Sequence, residues 1–128
     1  MQILEQRQRK ELATLENDFE NEKQIKLDQA LSELKSQYEN DKEKLLSRHS
    51  MEMQELVSTC DESDLDNKKA ELLSKQREEL LNLEQAFSKE CSHVEASITA
   101  ELEAKHANTK ITTRERHYQV SLKYYNAV

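Results

Sequence analysis

The chain has 128 residues and contains no glycine, no proline and no tryptophan, whereas Gly and Pro together make up roughly an eighth of an average chain. Sheets, barrels and phosphate-cradling loops, which lean on those residues for their turns, are excluded, and an all-α chain is predicted. Hydrophobic and charged residues each make up 35% and the net charge is −7, a balance that fills a narrow apolar seam between helices and not a broad globular core.

From Leu12 to Leu56 the apolar residues recur in steps of three and four, which predicts a first long helix over 1–58. Its stripe is Leu12, Leu15, Phe19, Leu27, Leu31, Leu34, Tyr38, Leu45 and Leu56. Leu12, Leu34, Leu45 and Leu56 share an eleven-residue register that Lys23 interrupts. That spacing, about 3.67 residues per turn, favours a nearly straight or slightly right-handed pairing. Residues 59–66 lie in the window richest in Ser, Thr, Asp and Asn and are predicted to form a polar turn. Thr59-Cys-Asp-Glu62 has the form of a capping box, and Ser63 stands ahead of Asp64 and Asp66, which suit the first turn of a helix.

A second long helix is predicted over 67–128. Leu73, Leu80, Phe87 and Val94 repeat by sevens with Gln76 and Leu83 between them, the spacing of an ordinary heptad seam, and Cys91, Ile98 and Leu102 extend it. Near the end, residues 117–124 alternate apolar and polar like a strand, while Ile111, Tyr118, Leu122 and Tyr125 fit a helix. The lack of Gly and Pro favours the helix, and Thr112-Thr-Arg-Glu115 could restart one.

If the chain folds back near residue 62, partners have numbers totalling about 125. Leu45 then meets Leu80, Tyr38 meets Phe87, Leu34 meets Cys91, Leu31 meets Val94 and Leu27 meets Ile98. Further out the apolar residues match better at a total of 126, with Phe19 beside Ala107, Leu15 beside Ile111 and Leu4 beside Leu122. The predicted architecture is therefore a long antiparallel coiled-coil hairpin with arms of about 58 and 62 residues. The alternative is a continuous helix in an antiparallel dimer, which makes the same contacts in trans. Polar residues within the stripes (Lys23, Lys42, His49, Gln76, Glu90 and Ser97) are expected to fix the register. The flanking Leu46, Leu73 and Leu81 would gain from a further partner, so self-association is expected.

Few constellations suggest chemistry. Cys91 and His93 are two apart, so on a helix they diverge, and a one-seam rod has no enclosed pocket for catalysis. Asp61–Asp66 lacks the central glycine and the terminal bidentate Glu of a calcium loop, and His49, His93, His106 and His117 are dispersed. No catalytic residue, cofactor or metal is expected. Cys60 and Cys91 form no CxxC motif and read as reduced thiols of an intracellular protein. No apolar run exceeds two residues, so neither a signal peptide nor a membrane span is expected.

Charge is distributed unevenly. Residues 1–104 carry 14 bases and 25 acids, net −11, whereas residues 105–128 carry five bases and one acid, net +4. Lys105, Lys110, Arg114, Arg116 and Lys123, with Tyr118, Tyr124 and Tyr125, are the candidate partner-binding residues for an acidic protein, a nucleic acid or an anionic membrane surface. The competing expectation is that these bases face acids on the neighbouring helix.

In composition the whole chain resembles the long Glu/Lys/Gln-rich helical segments of cytoskeletal, centrosomal, ciliary, tethering and adaptor proteins. The resemblance implies a non-enzymatic scaffold and oligomerisation module, a spacer and protein docking surface within a longer cytoplasmic protein, with association to cytoskeleton, centrosome or cilium. The expected partner is another coiled coil or a second copy of the chain, and no small-molecule substrate is expected.

Overall fold

A computed structural model describes residues 2–127, and the side chains of residues 2–126. Two helices pack against each other as an all-α hairpin: α1 over Gln2–Thr59 and α2 over Glu62–Ala127. No strand occurs among the described residues, and none of their helices is long and apolar enough to cross a membrane. The alternating segment 117–124 is helical throughout, and Thr112 does not restart a helix. Its hydroxyl instead donates to the Asn108 carbonyl at 3.0 Å, one turn back.

The turn is shorter than the predicted 59–66 and is confined to Cys60 and Asp61. Thr59 does not cap α2, because it ends α1, its hydroxyl donating to the Glu55 carbonyl at 2.8 Å. Ser58 donates to the same carbonyl at 3.0 Å, and the Cys60 amide donates to the Leu56 carbonyl at 3.0 Å. Helix α1 thus ends without the left-handed residue that commonly closes a helix, and no described residue has a positive φ. Helix α2 begins five residues before the predicted 67, with the Asp61 carbonyl accepting from the Asp64 amide at 3.1 Å. Glu62 and Asp64 place negative charge on its positively polarised first turn.

Contacts divide the chain into a turn unit, Ala30–Val94, and a terminal unit made of residues up to Gln29 with those from Glu95 onward. In the turn unit the shielded positions of α1 are 30/31, 34, 38, 41, 45, 49, 52/53 and 56, and those of α2 are 65, 69, 72, 76, 79/80, 83, 87, 91 and 94. Both series advance by fours and threes that close every eleven residues. Leu34, Leu45 and Leu56 keep that register, and so do Leu65, Gln76 and Phe87. The heptad assignment of α2 is therefore corrected at Leu73, which is 44% exposed, while Leu72 is half-buried. A seven-residue repeat drifts about 20° per repeat around a straight helix. A helix facing an eleven-residue stripe must share its period, so one heptad before Leu80 the seam has moved to Leu72.

The partners expected in this unit are in register. The rings of Tyr38 and Phe87 stack at 4.4 Å, and half-buried Leu31, Leu34 and Leu45 face the positions of half-buried Val94, Cys91 and Leu80. Leu83 is half-buried as well. The terminal unit keeps the total of 125 and does not shift to 126. Phe19 stacks on His106, not Ala107, with centroids 4.2 Å apart and planes 10° from parallel. Ile111 is 62% exposed and Leu122 is exposed, whereas Lys110 and Ser121 hold the shielded positions opposite half-buried Leu15 and Leu4. Leu12 and Leu27 are half-buried, as is Ile98, and Leu102, 3% exposed, is the one buried hydrophobic residue among the described residues.

Candidate functional site

The basic segment of α2 lies in the terminal unit, and its charges turn toward α1. Lys105 Nζ lies 3.3 Å from Glu22, Lys110 pairs with Glu16, and Arg116 pairs with Glu11. His117 Nε2 is 2.8 Å from the second oxygen of Glu11. The Gln8 amide donates to the His117 carbonyl at 3.3 Å and to Ser121 at 3.4 Å. Hydrogen bonds from Lys110 and then His106 hold the Glu16 carboxyl below its usual range, and Lys105 followed by Lys26 does the same for Glu22. Burial, with the neighbouring Arg116 guanidinium second, pushes the His117 imidazole down, which favours a neutral ring whose N–H donates to Glu11. Three of the five bases singled out from the sequence are thus engaged within the hairpin. Arg114 and Lys123 are exposed, as are Tyr118, Tyr124 and Tyr125, the last two meeting edge to face at 6.0 Å.

The turn unit contains the most polar point of the seam. His49 on α1 is 6% exposed and Gln76 on α2 is 7% exposed. The Gln76 amide donates to the His49 backbone carbonyl at 3.0 Å, so this layer has polar partners where its neighbours are apolar. On one flank Arg48 pairs with Glu79, and its Nε lies 3.6 Å from Glu52. A shallow groove continues along that flank, lined by Glu52, Glu55, Lys68, Glu71 and Lys75 over Leu56 and Leu72. The other stripe polars differ: Lys23 is half-buried with Nζ 5.8 Å from the Phe19 ring, whereas Lys42, Glu90 and Ser97 are exposed.

The opposite flank carries exposed apolar side chains among polar ones such as Ser50 and Arg77. Leu46, Val57, Leu73 and Leu81 are all exposed, and each follows a seam position, 45, 56, 72 or 80, by one residue. An antiparallel pair has its two-fold axis perpendicular to the helices, so residues one step after the seam on both helices emerge on the same side. The four side chains therefore emerge on one edge, which Ser50 and Arg77 share, while the groups one step before the seam, Arg48 and Glu79 among them, form the charged edge. Sequence patterning marked Leu46, Leu73 and Leu81 as flanking but did not place them on one side. Cys91 is half-buried at a seam position and His93 is exposed, while Cys60 lies in the turn; both thiols are free. Comparison with protein-family models, with characterised proteins and with solved structures returns no match.

Proposed function

We propose that the chain is a non-enzymatic scaffold module, a helical spacer whose turn unit docks a further helical surface, in the first instance a second copy of itself. The observation that carries this reading is the edge on which Leu46, Val57, Leu73 and Leu81 emerge, each between 44% and 52% exposed on a chain otherwise rich in charge. Burying four such side chains against another helix supplies an association energy that a charged flank does not, and it turns a two-helix pair into a bundle. The pairing of Lys105, Lys110 and Arg116 with acids of α1 further supports a spacer over a module that recruits anions through its basic end.

The test is molar mass by light scattering over a concentration series, for the wild type and for a Leu46→Lys/Leu73→Lys/Leu81→Lys variant. The wild type is expected to rise above the 15.0 kDa of one chain, and the variant to remain monomeric with unchanged helicity. A wild type that stays monomeric at every concentration, or a variant that associates equally well, overturns the proposal.

A further inference from the structure

We propose that His49, Glu52 and Glu79 form a binding site for one divalent transition-metal ion of the zinc class, bridging α1 and α2. Their ligating atoms lie within 4.8 Å of one another. The His49 side chain is 7% exposed, its Nε2 is fully shielded and has no hydrogen-bond partner, and it lies 3.8 Å from Glu79 Oε1. Glu52 Oε1 is also shielded and without a hydrogen bond. His49 Nε2 is thus a buried polar atom left unsatisfied, which is costly, and Glu52 Oε1 beside it has only the Arg48 guanidinium, its Nε 3.6 Å away, for company. An ion placed between them satisfies both.

The surroundings suit such an ion. A tetrahedral zinc ion with bonds of about 2.1 Å holds its ligands about 3.4 Å apart, so the three groups need only small side-chain rotations. Ligating groups are usually oriented by outer partners, and both elements here have them. Arg48 takes the Oε2 oxygen of Glu79 and leaves Oε1 facing His49, and Gln76 holds the His49 backbone. One imidazole with two carboxylates matches the borderline character of zinc, with water as the fourth ligand. Calcium, which takes six to eight oxygens, is poorly served by this set. His49 and Glu52 are three apart on α1 and share a face, whereas Glu79 comes from α2. The ion therefore acts as a clip across the seam.

Isothermal titration of the chelator-treated full chain with zinc chloride, in excess magnesium, tests the assignment, with far-ultraviolet circular dichroism confirming helicity. Expected are one zinc per chain, a rise in melting temperature on zinc addition, and the visible bands of a four-coordinate site when cobalt replaces zinc. Glu52→Gln and Glu79→Gln keep size and shape, and each should weaken zinc binding by at least roughly tenfold. His49→Leu should abolish it, and Glu16→Gln, in the terminal unit, should leave it unchanged. Equal zinc affinity in wild type, Glu52→Gln and Glu79→Gln overturns the proposal, as does a wild type with no saturable zinc binding.

Discussion

Replacing Leu102 by alanine tests the register of the terminal unit and the period of the seam together. Leu102 is 3% exposed and borders a small hollow that it shares with Leu15, Phe19 and His106. Leu→Ala changes in closed cores cost about 2–5 kcal/mol, with the upper end reserved for rigid cavities. A seam one side chain wide is open along both flanks, so neighbouring side chains and water can enter, and the expected loss is about 2–3 kcal/mol. With an unfolding entropy of about 2.1 cal/mol/K per residue, that corresponds to a fall in Tm of about 7–11 °C for this chain. Alanine is the strongest helix former, so the change reports packing and not helix propensity. The comparison lies in the turn unit. Leu73, 44% exposed, should lose less than about 1 kcal/mol on truncation, under about 4 °C in Tm. Half-buried Leu72 should fall between the two. Thermal melts followed by circular dichroism decide the matter: a Leu73→Ala cost above that of Leu72→Ala would mean that α2 follows heptads after all.

The polar layer gives a different expectation. Gln76→Leu removes a donor to a carbonyl that can still accept its own helical hydrogen bond, so Tm should hold or rise while sedimentation velocity reveals more than one paired species. A single species with a lower Tm would show that Gln76 stabilises the pair and does not select the register. Arg116→Gln and Lys105→Gln remove exposed ion pairs, and each should change stability by no more than about 1 kcal/mol at any salt concentration; a larger loss in denaturant titrations would contradict that. His117 is held below its ordinary value of 6.5, so the unfolded chain takes up that proton at higher pH than the folded chain. Its contribution is full above pH 6.5 and declines as pH falls through that value. Glu16 and Glu22, held below 4.5, add stability that is lost only at more acid pH. Between about pH 7.5 and 5.5 the wild type should therefore lose more Tm than His117→Gln, and parallel curves would refute the assignment.

Much of the hairpin was legible because few alternatives survive the absence of Gly and Pro. The polar stretch at 59–66 bracketed the turn, and the total of 125 paired Tyr38 with Phe87. The period of α2 was harder to read, because Leu80, Leu83, Phe87 and Val94 belong equally to a seven- and an eleven-residue pattern. Leu72 against Leu73 tells them apart on one side of that run, where two adjacent leucines look alike in a hydropathy pattern, and Cys91 against Glu90 does so on the other. The expected step to a total of 126 came from scoring apolar residues alone. His106 presents a flat ring to Phe19, and Lys110 lays its stem in the seam while its ammonium reaches Glu16, so amphipathic side chains occupy sites reserved for leucines. In the His49–Glu52–Glu79 cluster only His49 stood out in the sequence, and as a register-fixing polar residue, not as a ligand. The cluster became apparent only once α2 was set against α1.

An eleven-residue repeat shared by two antiparallel strands of helix behaves like a rack with matching teeth. Within the turn unit, residues 38–48 on α1 face residues 77–87 on α2, and each block is one repeat long. Excising both blocks brings His49 to the place of Tyr38 and Cys91 to the place of Leu80, so every remaining shielded position keeps a shielded neighbour. Excising a single residue from one arm alone, by contrast, puts every later tooth opposite a gap. The length of such a module can therefore change in inheritance or by engineering in paired increments of three helical turns, while small unpaired insertions are its most damaging lesions.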